Sequence, residues 1–254
     1  LDEPARVELL TAMTDEVSAL VLEDNRLQAL ALSIAQAGGA QAAASHIRLI
    51  ETLEAGGQLD RKTEGLADSD VLARRAADGR GLTRPELAVL LSSAKLVLQD
   101  ALENSAVVDD PGLADELLAA FPAPMRETFA QDILDHRLRR EIIATKLANR
   151  MVNRLGLIHP FELAEEEGAT LAQVTAAFIA AERLLGMGAV WRAIETAAMP
   201  EAARIALFDR AAAGMSDHIA DLLRVSGGST EPSRVVADLS AGVAELRDSA
   251  AGLL

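Results

Sequence analysis

Cysteine and tyrosine are absent from this 254-residue chain, and one tryptophan and five phenylalanines are its whole aromatic complement. Without cysteine there is no disulfide framework, no thiolate metal site and no thiol nucleophile, and a cytoplasmic setting fits best. So few aromatics remove much of what strands and β-rich cores are built from. Lysine stands only at Lys62, Lys95 and Lys146, so arginine carries nearly all the positive charge. The formal net charge of −15 repels phosphate backbones, and no nucleic-acid partner is expected. The one basic run, Arg137-Leu138-Arg139-Arg140, lies between Asp135 and Glu141 and reads as ion pairing. No apolar run approaches the roughly 20 residues of a membrane span, and no basic segment precedes an apolar signal core, so no membrane partner is expected.

What remains favours helix. Half of the residues are hydrophobic, and a chain of this length buries roughly 70–75% of its unfolded surface. Leucine and alanine dominate, and small side chains let helix axes approach closely. The expected fold is all-α, a bundle of about ten helices around a central buried helix. Residues 1–225 are expected to form one helical domain, with room for two packed lobes near 1–80 and 81–225. Residues 226–254 read as a linker and a C-terminal amphipathic helix.

Punctuation along the chain gives the helix boundaries. Thr14-Asp15-Glu16 reads as an N-cap with acidic first-turn residues, so two helices or one kinked helix should end near Gly38-Gly39. Thr83-Arg84-Pro85-Glu86 places a hydroxyl at N-cap, proline in the first turn and glutamate at N3, which makes Thr83 and Glu86 a capping box ahead of Leu87–Leu102. Thr170 opens a helix rich in small residues, Gly188 suggests a turn before Trp191, Pro200 starts a helix and Ser216-Asp217 caps another. Gly227-Gly228-Ser229-Thr230-Glu231-Pro232 reads as a flexible connector, followed by Val235, Leu239, Val243 and Leu246 at helical spacing.

The segment 131–155 is expected to be the central helix. At about 100° per residue its apolar residues, Leu134 to Leu155, cover more than half of the circumference. Asp135, Arg139, Lys146, Arg150 and Asn153 collect in the remaining sector, a polar seam beside a buried helix. Charges so placed must be paired, hydrated or used, and the seam is the candidate interaction or regulatory site.

Catalytic constellations are missing. Gly186-Met187-Gly188 begins like a dinucleotide fingerprint but lacks the third glycine and a preceding strand. No phosphate-loop lysine occurs, and Ser216 in Gly214-Met215-Ser216-Asp217-His218 is no nucleophile elbow. His46, His136, His159 and His218 are widely separated and read as isolated surface or cap residues. The acidic clusters Glu165-Glu166-Glu167 and Asp109-Asp110 lack calcium-loop spacing. No catalytic, cofactor-binding or metal-binding residue is assigned.

Several stretches together resemble one family. They are Met13-Thr14-Asp15-Glu16-Val17 with Asp24-Asn25, then Gly81-Leu82-Thr83-Arg84-Pro85-Glu86-Leu87-Ala88-Val89-Leu90, then His136 through Thr145, leading into Leu147-Ala148-Asn149 and Met151-Val152-Asn153-Arg154. These are similar to the C-terminal helical region of the large bacterial NAD-specific glutamate dehydrogenases, over roughly residues 6 to 224, with Trp191, Ile194 and Glu195 also in place. Arg150, where the family usually has a small residue, and Leu157-Ile158-His159-Pro160, in place of a glycine-proline-threonine turn, depart from the pattern.

The resemblance implies a catalytic core with a Rossmann domain upstream, and no family catalytic residue carries over onto this chain. It further implies NAD as the cofactor of the parent enzyme and none in this fragment, the upstream catalytic domain as partner, and a homo-oligomer. The chain opens at Leu1 directly in helix-like sequence, as a piece of a longer protein would. A rival reading is a free-standing helical protein–protein interaction module without activity. A third is a helical body that senses an amino acid at the polar seam.

Overall fold

Twelve α-helices and two short 3-10 turns make up the elements of the computed structural model, which describes residues 1–251, with no β-strand among them. The helices are α1 (Glu3–Ala37), α2 (Ala43–Ala55), α3 (Ser69–Ala77), α4 (Arg84–Glu103), α5 (Ala114–Leu118) and α6 (Ala123–Leu134). There follow α7 (Arg139–Leu155), α8 (His159–Glu166), α9 (Leu171–Leu184), α10 (Met187–Thr196), α11 (Glu201–Val225) and α12 (Pro232–Ala251). The fold is all-α, as expected from composition.

At the centre α7 packs against α4, α11, α1, α5, α8 and α9. Its inward residues, among them Ile143, Leu147, Met151 and Leu155, are buried together with Leu90, Leu98 and Leu102 of α4. Behind it α9 is enclosed all round: every residue from Val174 to Ala181 is buried, between α11 and α12. Alanines at 176, 177, 180 and 181 permit that close approach.

The expected helix 131–155 is divided. α6 ends at Leu134, the Leu138 N–H donates to His136 Nδ1 at 3.1 Å, and helix resumes at Arg139. Tertiary bonds hold the restart in place. Arg140 donates to the carbonyls of Glu103 (2.8 Å) and Ser105 (3.0 Å) at the end of α4 and pairs with Asp109. Arg139 also meets Asp109, at 3.2 Å, so the basic run pairs with a residue far away in sequence and not with Asp135 or Glu141.

Three other expected boundaries are absent. α1 runs unbroken because neither glycine nor proline interrupts residues 5–37; the Thr14 hydroxyl donates to Leu10 O at 3.0 Å inside the helix. Glu16 instead caps a different helix, accepting from Ala123 N (2.8 Å) and Arg126 (3.2 Å) at the start of α6. Ser216 likewise lies within α11 and donates to Ala212 O at 3.1 Å. The turn near Trp191 is made by Gly186, left-handed at φ 66°, while Gly188 is helical.

The stretch 81–86 clamps three elements. A Cβ on Gly81 would lie 2.3 Å from the Gly39 carbonyl oxygen, so the loop before α4 and the turn after α1 touch backbone to backbone. Arg84 reaches back to Ala29 O (3.0 Å), Ser33 Oγ (3.2 Å) and Gln36 Oε1 (3.3 Å) on α1. Thr83 stands at the N-cap of α4, and the Glu86 carboxylate accepts from its N–H and hydroxyl, both at 2.8 Å. The same carboxylate takes two bonds from Arg75 of α3, at 2.8 and 3.0 Å.

Beyond residue 225 the chain stays attached to the body. Gln173 donates to Gly228 O at 2.8 Å, and Asp110 accepts from the backbone N–H (3.0 Å) and hydroxyl of Ser233. Val235 of α12 is buried, whereas Leu246 is exposed.

Candidate functional site

Four of the five seam residues, Arg139, Lys146, Arg150 and Asn153, share one side of α7, at about 100° per residue. Asp135 does not join them. It is the exposed C-cap of α6 and accepts from Gln131 at 2.8 Å. The four meet different surroundings: Arg139 pairs with Asp109 at the surface, and half-buried Lys146 makes no ion pair among the described residues. Arg150 and Asn153 are the inward pair.

Arg150 lies within 2.5 Å of Glu116 on α5, and its Nε is 3.1 Å from Glu182 on α9, outside hydrogen-bond alignment. Burial is the largest influence on both partners. It pushes the Glu182 carboxyl above the ordinary carboxylate range despite the opposing Arg150 charge. For Arg150 burial acts downward, but Glu182 and Glu116 overcome it and hold the guanidinium more firmly protonated. Trp191 of α10 donates to Glu182 at 3.2 Å and stacks on Phe208 of α11 at 5.7 Å. One turn on, Arg154 pairs with Glu195 and lies 5.6 Å from the Trp191 ring centre. Every charge here has a partner, so the cluster ties α5, α7, α9, α10 and α11 together.

Asn153 opens onto a different feature, a cleft of about 120 Å³ where four helix ends meet. Gly38 ends α1, Ala42 precedes α2, Gly156 ends α7 and Ile158 precedes α8; all four line the cleft. Ile34, Leu155, Leu157 and Phe208 supply apolar wall. Two buried polar groups face it. His46, 1% exposed, has no partner for either ring nitrogen, and Asn153, 8% exposed, has none for Oδ1.

Burial pushes the His46 imidazole down to about 4, with Glu162 pulling weakly the other way. At neutral pH it is therefore uncharged and presents one N–H donor and one bare nitrogen acceptor. The expectation of a surface or cap histidine fails here. His46 falls with Leu49, Ile50 and Leu53 on the buried face of α2, at the helical spacing 46, 49, 50, 53, and that periodicity was the signal that could have found it. His136 packs near Phe121 with ring centres 6.0 Å apart, His159 begins α8 at the edge of the cleft, and His218 is exposed.

Gly186-Met187-Gly188 does not form a dinucleotide turn: Gly186 follows helix α9, where such a turn needs a strand. Among the described residues no group of three histidine or acidic side chains is placed to hold a metal ion. No single described helix is long and apolar enough to cross a membrane.

The family described as "Glutamate dehydrogenase, C-terminal" matches residues 79–254. Among curated proteins, the NAD-specific glutamate dehydrogenase of Pseudomonas aeruginosa is 40% identical over 195 residues, 77% of this chain. That of Halomonas elongata is 39% identical over 195 residues, again 77% of the chain, and that of Mycobacterium tuberculosis 37% over 205 residues, 81% of the chain. In each case the match spans 12% of the relative's own length.

Proposed function

Because this chain belongs to the glutamate dehydrogenase C-terminal family, we propose that it is the non-catalytic helical end of an NAD-dependent glutamate dehydrogenase and organises the catalytic region. The parent reaction is oxidation of L-glutamate with NAD and water to 2-oxoglutarate, ammonia and NADH. NAD belongs in this reading to the catalytic region, since the described residues of this chain offer no strand–glycine–helix turn to hold it.

The observation that carries the organising role is on α1. Val7, Leu10, Thr14, Val17 and Val21 are spaced alternately by three and four residues and are all exposed. That spacing is the seam by which one helix packs on another. The second half of α1 is docked on the body through Leu30 and Ala31, which leaves the first half to present the seam. Its occupant in this reading is the catalytic region, for the matched stretch is a small part of each relative.

Two measurements test the proposal. This chain alone produces no NADH from glutamate and NAD; clear NADH production overturns the non-catalytic assignment. In the whole dehydrogenase, Leu10→Glu with Val17→Glu lowers activity or the mass of the homo-oligomer several-fold while leaving the melting temperature of the 254-residue chain unchanged. Full activity and unchanged mass in that double variant remove the organising role from α1.

A further inference from the structure

Where α1, α2, α7 and α8 meet end to end, the protein keeps two buried polar side chains unpaired beside an open cleft. Native structures leave few such groups without a partner. On the same helix α7, Arg150 and Arg154 sit in ion pairs with Glu116, Glu182 and Glu195, whereas neither ring nitrogen of His46 nor Asn153 Oδ1 has any partner at this spot.

The surroundings define what would complete the two groups. Two helix C-termini, at Gly38 and Gly156, bring carbonyl ends, and two N-termini, at Ala42 and Ile158, bring amide ends. Their partial charges oppose one another, so the cleft has no built-in preference for an anion or a cation. Arg154 is committed to Glu195, and Asp209 stands exposed at the rim. An uncharged imidazole gives one donor and one acceptor, and Asn153 Oδ1 adds an acceptor.

We propose that this cleft is a binding site for a small uncharged molecule that carries a hydrogen-bond donor beside an acceptor on a compact apolar body. The donor bonds to Asn153 Oδ1 or the bare His46 nitrogen, the acceptor takes the His46 N–H, and the body packs against Ile34, Leu155, Leu157 and Phe208. A volume of about 120 Å³ is slightly below the roughly 150 Å³ cavity that accommodates benzene, which sets the body at a five-membered ring or its equivalent. Water could meet the polar groups but would leave the apolar wall wet. The inference does not depend on what the domain is attached to.

Pyrazole is the probe, a neutral five-membered ring with an N–H next to a nitrogen acceptor. Titrated at pH 7 into the 254-residue chain carrying isotope-labelled histidine, it shifts the His46 ring resonances saturably. Thiophene, acetate and methylammonium do so at least tenfold more weakly. Asn153→Leu weakens pyrazole at least tenfold with its melting temperature kept; if that variant fails to fold, the wild-type titrations decide alone. No saturable shift with pyrazole, together with magnetisation transfer from water to the His46 ring, would show an ordered-water site and overturn the proposal. Acetate or methylammonium binding as tightly as pyrazole would overturn the uncharged class.

Discussion

Burial holds the His46 imidazole at about 4 against an ordinary 6.5, and the consequence can be read from stability. Between those values the unfolded chain binds more protons than the folded one, so folding weakens as the solution is acidified. The contribution is complete above pH 6.5 and is lost as pH falls through about 4, up to about 3 kcal/mol. Urea unfolding at pH 7 and 4.5 should therefore show a steeper loss for the wild type than for His46→Leu; equal losses would remove the imidazole as the cause. Lys95 gives the alkaline counterpart. Its Nζ is buried without a partner, and burial draws it down to about 8, opposed by Asp24. Its contribution is complete above pH 10.5 and is lost as pH falls through about 8, so at neutral pH the protein carries a buried, unpaired ammonium. Lys95→Met should raise stability at pH 7 by about 2 kcal/mol, and the gain should shrink between pH 8 and 10.5. A gain independent of pH would point to packing instead of charge.

Among the elements, the start of α4 shows how far local sequence reaches. A capping box needs only four consecutive residues, and Thr83 and Glu86 were legible for that reason. Thr83→Ala should cost about 1 kcal/mol. Glu86→Ala should cost more, about 2 kcal/mol, because the carboxylate also accepts two bonds from Arg75 on α3. Thermal unfolding of the two variants gives the order, and a larger loss at Thr83 would exclude the α3 clamp. Thr14 and Ser216 were misleading for a related reason: a hydroxyl that can cap a helix can equally bond the carbonyl four residues back inside one. The break between α6 and α7 was invisible in periodicity, since Leu134 and Leu138 keep the helical spacing across it. Arg140, bound to the end of α4, sets where α7 begins.

For the whole molecule, burial is uneven along the chain and exchange kinetics should follow it. Amides of α9, where residues 174–181 are all buried, should exchange with solvent slowest, and those of the first three turns of α1, exposed nearly throughout, fastest. Hydrogen-exchange mass spectrometry checks the ranking; protection of early α1 equal to α9 in the 254-residue chain would mean that its seam is already covered by another copy. Composition and spacing determined the all-α class and most helix starts, and the motif stretches carried the resemblance to the family, because each is written in residues a few positions apart. The tertiary structure alone decided that Glu16 caps α6, that Asp135 leaves the seam of α7, and that His46 and Asn153 line one cleft at the ends of four helices. Each of those joins residues distant along the chain, and what brings them together is burial of the shared leucine-rich core, an attraction without direction that leaves no local mark in the sequence.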